Sequence, residues 1–411
     1  MWLLLGLALA IRVALFVATS VNTHLALDPI DYNRIAHSIA TGHGFGPTIL
    51  PGAYGPSAYR PPAYPYFLAA IYWLSGRGIN AARFAQAVLG TLPVALIGLI
   101  AWRLWGRRAG YAALALAAVA TPLIVIGDTL ESEWLLVVLE LAALAAVLEQ
   151  RRHPDGLRWA AVAGVLGGLA MLTRTNAVVL VVGLAVGVWT VLPRRSRSSW
   201  RAPATLIACS LIVLVPWTIR NAIVMHSFIP VSDETGYTMR GTYNNFSRTN
   251  SVFPGAWVNP ELFVYEHHIP HLSETALNAR LLHQSLRFIG DHAAYPLTVA
   301  YQNTIRLLGL TGPTWTEGSE EILGLSPHVA ELEYYGFFVL AALALVGATT
   351  RAARAAPRFL WALAVLLWLS VVLVAGQTRF RAAVDPFIVL LAALGLVALG
   401  ERAVGATRRR S

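Results

Sequence analysis

Apolar residues run in long blocks along this chain, and most blocks are close to 20 residues long. They fall near 2–21, 80–102, 109–127, 131–149, 157–173, 175–193, 203–219, 331–349, 358–375 and 382–400. A helix of about 20 residues crosses the roughly 30 Å hydrocarbon core of a bilayer. In lipid only helices and closed barrels satisfy every backbone N–H and C=O, and unbroken blocks of this length are helical. The pattern predicts one all-α polytopic membrane bundle of about 10–12 transmembrane helices over 1–411. Two polar regions interrupt it, 22–79 and 220–330. In the first, Tyr32–Thr41 follows Pro29 and ends at Gly42 and Gly44, and Ala63–Ser75 follows Pro61-Pro62. Both read as short helices, and the Tyr, Trp and Phe of the second suit the headgroup zone. Segment 292–312 is apolar but broken by Pro296, Gln302, Asn303 and Arg306. It is expected to lie at the surface or re-enter; the alternative is a further span paired with 63–76.

Composition agrees. Hydrophobic residues make up 56% and charged residues 13%, with mean hydropathy +0.59. That excludes an ordinary soluble domain. The net charge of +10 comes from arginine alone, since the chain has no lysine. A basic excess can indicate nucleic acid, but here the arginines cluster at block ends. The clusters are Arg103/Arg107/Arg108, Arg151/Arg152, Arg194/Arg195/Arg197/Arg201, Arg351/Arg354/Arg358 and Arg402/Arg408/Arg409/Arg410. The positive-inside rule puts all of them in the cytoplasm. Ten crossings then leave both termini inside and the two polar regions outside. The first block has no basic leader or small-residue cleavage site and reads as a retained span. Cys209, in an apolar block, reads as a packed thiol.

Chemistry concentrates outside. Asp28 and Asp31, three residues apart, share a face if helical. The bland reading is a helix cap and a solvated helix start; the functional one is a general base at a membrane cavity. Arg60, Arg220 and Arg379 lie on the outer side against the charge trend and suit an anionic partner. Their alternatives are snorkelling or pairing with Asp385 or Glu234. Arg174, beside Asn176, is similar. Asp128-Thr-Leu-Glu131 resembles a capping box, and Glu131 or Glu133 can instead bind a sugar hydroxyl. Arg12 and Glu140 sit at similar depth inside their blocks and are expected to pair or face a water pocket. His267, His268 and His271 lack the spacing of a metal site, and no catalytic metal is expected.

The motifs together resemble the GT-C membrane glycosyltransferases. The similarity is to the group holding the dolichyl-phosphate-mannose protein mannosyltransferases and lipid A aminoarabinose transferases. Asp28-Pro-Ile-Asp-Tyr32 resembles the acidic segment of their first outer loop, with Pro29 where some members have Glu. Ala36–Phe45, Arg60-Pro-Pro-Ala-Tyr64, Pro216-Trp-Thr-Ile-Arg-Asn221 with Phe228-Ile-Pro-Val-Ser232, and Gln377-Thr-Arg-Phe-Arg381 with Pro386 resemble later segments in order.

The resemblance implies an inverting transferase of the EC 2.4 class. It would move a sugar from a polyprenyl-phosphate donor to a hydroxyl of a lipid, glycan or protein, without nucleic acid or cofactor. Asp28 matches the catalytic base, with Asp31, Glu131 and Glu133 as possible second acids. Arg60, Arg220 and Arg379 would bind the donor phosphate, and Tyr32, Tyr59, Tyr64, Arg174 and Asn221 would line the cavity. Region 220–330, with Asn244, Asn245, Trp257 and Trp315, would cap it. The expected location is the bacterial cytoplasmic (inner) membrane with the site facing the periplasm. The competing readings are a lipid-linked-sugar flippase, which predicts inverted repeats, and a noncatalytic partner in envelope glycan assembly.

Overall fold

The computed structural model describes residues 1–20, 28–48, 55–76, 78–190, 197–261, 272–321 and 323–408. His267, His268 and His271 lie outside them. The described residues form helices and connecting turns, with no strand among them. In chain order the first helices are α1 (Trp2–Thr19), α2 (Asp28–Ala40), α3 (Ala63–Ser75), α4 (Ile79–Leu89), α5 (Thr91–Trp105), α6 (Arg107–Val119), α7 (Thr121–Asp128), α8 (Ser132–Arg152), α9 (Arg158–Thr173), α10 (Val178–Trp189) and α11 (Arg201–Val224). Later helices include Thr235–Thr242, Glu274–Asp291, Tyr295–Leu307, Pro313–Glu321, Pro327–Ala348, Arg358–Val372 and Asp385–Arg408.

A helix lies at each of the ten expected blocks. Among the described residues, five helices are long and apolar enough to cross a membrane: Trp2–Thr19, Ile79–Trp105, Arg201–Val224, Pro327–Ala348 and Asp385–Val404. The pair α6 and α7, bent by 49°, makes a sixth if counted as one span. The protein is a multi-pass membrane bundle. Helix Tyr295–Leu307 has 13 residues, or about 20 Å at 1.5 Å per residue. That is too short to cross, and it packs on Arg358–Val372 and the turn Thr378–Arg381. The expectation of a surface or re-entrant helix fits this geometry.

The bend between α6 and α7 explains Arg12. Pro122 has no N–H and leaves the Ala118 carbonyl without its helical donor. Arg12, buried in α1, donates to Ala118 O at 3.3 Å, Ala117 O at 3.4 Å and Ala8 O at 3.1 Å. The expected pairing with Glu140 therefore does not occur: Arg12 serves backbone carbonyls, and the buried Glu140 carboxyl has no hydrogen-bond partner among the described residues.

Two glycines join the late helices. A Cβ on Gly347 would stand 1.8 Å from Leu391 O, and one on Gly395 would stand 2.0 Å from Leu343 O. Only bare backbone permits this approach, the usual use of small residues between membrane helices. Helix Asp385–Arg408 positions the turn Thr378–Arg381 just before it.

Described arginines from these clusters meet at one end. Arg103 pairs with Glu149 at 3.1 Å, Arg108 with Glu401 at 3.2 Å, and Trp105 Nε1 donates to Ala352 O. α8 runs from there to the other end, where Glu131, Glu133 and the two acids of α2 gather.

Candidate active site

α2 places Asp28 and Asp31 in its first turn on one face. That face is buried by Tyr32, Ile35 and Ala36 packing inward. Arg60, just before α3, lies across both acids. Its Nε donates to Asp31 Oδ2 at 2.6 Å and its Nη2 to Asp28 Oδ1 at 2.5 Å. Its Nη1 is 3.5 Å from Glu234 Oε2. The guanidinium plane rests against the rings of Tyr32 and Tyr59, 5.2 and 4.8 Å from their centroids. A planar fork with several donors suits this arrangement.

Arg379 arrives from the turn Thr378–Arg381. Its Nη2 donates to the second Asp28 oxygen at 2.6 Å, its Nη1 is ion-paired with Glu131, and Phe380 lies beneath it. Both Asp28 oxygens thus go to arginines, so the capping reading gives way to an ionic bridge. Burial alone would raise the Asp28 pKa. The Arg60 and Arg379 charges outweigh it and hold the carboxyl well below its usual range. Arg60 is kept fully charged: burial opposes this, but Asp28, Tyr59 and Asp31 prevail.

The wall behind is the junction of α7 and α8. Asp128 ends α7, and Glu131 takes the N-cap position of α8 without a side-chain cap bond. The expected capping box is therefore absent. Asp128 instead pairs with Arg83 at 2.8 Å and accepts from Thr19 at 2.7 Å. Gln86 donates to Thr129 O at 2.7 Å and accepts from Tyr64 at 2.6 Å. Glu133 pairs with Arg174 at 2.7 Å, and Tyr32 donates to Ser132 at 3.1 Å. Arg83 and Gln86 were missed in the sequence as site supports. Their signal was two polar residues three apart on an apolar helix, one helical face turned to a polar neighbour.

The remaining expected site residues, Arg220 and Asn221, lie on α11, outside this wall. Arg220 donates to Ser57 O at 2.6 Å and Phe45 O at 3.3 Å, and stacks on Trp217. Asn221 is buried and donates to Ile229 O. Asn221 also accepts from Arg220 at 3.0 Å, and Arg220 braces the loop preceding Arg60. Glu274 braces it too, accepting from Ser57 Oγ at 2.5 Å and Ala58 N at 2.8 Å. Burial raises the Glu274 pKa to about 7, against these two hydrogen bonds. Burial likewise raises Asp233, whose N–H donates to Ala58 O, to about 6. The structure thus brings Asp28, Asp31, Arg60, Arg379, Glu131, Glu133, Arg174 and Tyr32 into one ionic group. Arg220, Asn221, Tyr59 and Tyr64 support it.

Residues 59–219 match the family described as dolichyl-phosphate-mannose-protein mannosyltransferase. Among solved structures, the chain is similar to the archaeal oligosaccharyltransferase AglB from Archaeoglobus fulgidus, in complex with an inhibitory peptide and a dolichol-phosphate. Identity is 14% and TM-score 0.56, over 99% of this chain and 51% of AglB. The apo form of the A. fulgidus enzyme gives 14% and 0.55, over 97% of this chain and 50% of that one. ArnT from Cupriavidus metallidurans bound to undecaprenyl phosphate is 19% identical with TM-score 0.47, over 98% of this chain and 78% of ArnT. The chain spans about half the length of the oligosaccharyltransferase. No curated protein matches. The resemblance read from the motifs holds: the chain is a multi-pass membrane protein with the GT-C glycosyltransferase fold, similar over residues 59–219 to the dolichyl-phosphate-mannose-protein mannosyltransferases.

Proposed function

We propose that this protein is an inverting glycosyltransferase that takes a sugar from a polyprenyl-phosphate donor. One observation carries the reading: a carboxylate, Asp28, spans two buried arginines brought together from opposite ends of the chain. A carboxylate beside two guanidiniums supplies the kinds of group this transfer needs, a base for the acceptor and cations for the donor phosphate. The family description and the dolichol-phosphate held by AglB support a lipid-phosphate donor. The lipid tail would lie between helices, with region 22–79 carrying the catalytic groups and 220–330 covering them.

The acceptor hydroxyl gives its proton to Asp28. Its oxygen bonds to the anomeric carbon from the side opposite the phosphate. The carbon–oxygen bond to phosphate breaks, and polyprenyl phosphate departs with the electron pair. Charge grows on the leaving phosphate, so Arg60 and Arg379 stabilise the transition state more than the ground state. The arginines supply the charge that a metal would otherwise supply, and the reading includes no metal. Arg220 is committed to backbone carbonyls, and we assign it to holding the Arg60 loop. The site would face the periplasm of a bacterial inner membrane.

The test is transfer from labelled polyprenyl-phosphate sugars into a membrane lipid extract, wild type against Asp28→Asn. Loss of the base should lower the rate by about 10²–10⁴. Equal rates would remove Asp28 from the mechanism.

A further inference from the structure

The two guanidiniums that suit a donor phosphate are already occupied. Asp28 bridges them much as a phosphate would, with one oxygen 2.5 Å from Arg60 Nη2 and the other 2.6 Å from Arg379 Nη2. Its side chain is 23% exposed, against 8% for Arg60 and 11% for Arg379. Asp28 is the open member of the trio. Each arginine also has a partner behind it that is fully buried: Asp31 for Arg60 and Glu131 for Arg379. Asp28 can therefore leave while both guanidiniums stay anchored and aimed.

We propose that Asp28 is an internal stand-in for the donor phosphate, and that the arriving phosphate displaces it from Arg60 and Arg379 and so releases it to act as the base. This rests on the donor reading above and adds an order of events to it. A carboxylate held by two guanidiniums is a weak base, because protonation must first give up both ion pairs. Exchange for phosphate moves those pairs to the ligand and leaves Asp28 beside the bound sugar with its basicity restored. The base is silent without donor, so donor must bind before the acceptor reacts. Linkage demands a reciprocal cost: Asp28 competes with the phosphate for the same cations, and the coupling acts equally on both.

That cost gives an unusual expectation. Removing the catalytic carboxylate should tighten donor-phosphate binding. The measurement is the affinity of the detergent-purified full chain for farnesyl phosphate, with farnesol and inorganic phosphate alongside. Asp28→Asn is expected to bind farnesyl phosphate on the order of tenfold more tightly than wild type. Asp28→Ser, which removes the same carboxylate and leaves Asp31 and Glu131 to anchor the arginines, should shift affinity the same way and decides alone if Asp28→Asn does not fold. Farnesol binding should be the same in all three proteins. Unchanged or weaker farnesyl phosphate binding in the folded variants, with wild type still binding, would overturn the exchange and leave the donor reading standing. Tightening of farnesol as well would show a general opening of the site and also overturn it. Inorganic phosphate bound as tightly as farnesyl phosphate would overturn the lipid part. No binding of farnesyl phosphate by wild type or by either variant would sink the donor reading itself, and the exchange with it.

Discussion

At the scale of single residues, the group around Asp28 works because each charge has a partner with a fixed backbone origin. The loop that delivers Arg60 is itself gripped from three directions, by Arg220, by Asp233 N–H and by the Glu274 carboxyl. One of these grips, the Glu274 carboxyl, titrates near neutrality, and so does the side chain of Asp233, whose backbone supplies another. Glu274 is raised from 4.5 to about 7 and Asp233 from 3.8 to about 6, chiefly by burial. A carboxyl with a raised folded pKa binds its proton more tightly when folded, so its contribution to stability is full below the unfolded value and is lost as pH rises through the folded one. Thermal stability in detergent should therefore fall between about pH 5 and pH 8. Glu274→Gln keeps an acceptor for Ala58 N–H and offers its NH2 to Ser57 Oγ, and should flatten the upper half of that decline. A wild-type melting temperature that rises across the window would contradict this account. None of this was legible in the sequence. Glu274 lies more than two hundred positions from Ser57, and an acid after a serine reads only as a helix start.

At the scale of helices, the sequence was most informative where block length alone decides. Ten apolar blocks became helices because lipid leaves the backbone no alternative. What a block cannot reveal is direction around its axis. Arg12 and Glu140 share a depth, which suggested a pair, yet Arg12 faces the bend opened by Pro122. Pro122 was visible; its vacant acceptor and the arginine that fills it were not connected, since they lie on different helices. The same limit hid the contact of Gly347 with Gly395. Gly347→Leu would force a side chain onto Leu391 O, where even a Cβ would lie at 1.8 Å. Overpacking of this kind costs about 1–3 kcal/mol or more. The variant should melt well below wild type, and because the partner helix Asp385–Arg408 leads out of the turn that carries Arg379, it should also lose farnesyl phosphate binding. A variant as stable as wild type would mean that the two helices pack less closely than described.

At the scale of the whole molecule, two ends with different chemistry define a direction. One holds described arginines such as Arg103 and Arg108, with the contact of Arg108 and Glu401, and the other holds Asp28 with its arginines and acids. Much of the site was readable in advance because its motifs come in order. Asp28, Arg60 and Arg379 were singled out from separate segments and prove to touch. Their mutual engagement was not readable, since it depends on how loops from both ends of the chain converge. The direction of the bundle can be tested with the chain's own composition. Its one cysteine, Cys209, can be replaced by serine to give a cysteine-free background. Arg108, whose side chain is 82% exposed, marks the arginine-rich end; Ser251, also exposed, follows Asn245–Thr249 in the region proposed to cover the site. If basic ends stay in the cytoplasm, a membrane-impermeant thiol reagent added to intact cells should label Ser251→Cys and spare Arg108→Cys, and inverted vesicles should show the reverse. Labelling of Arg108→Cys from outside would turn the bundle over. The donor would then have to be met at the cytoplasmic face, and the acceptor would be a molecule made on that side.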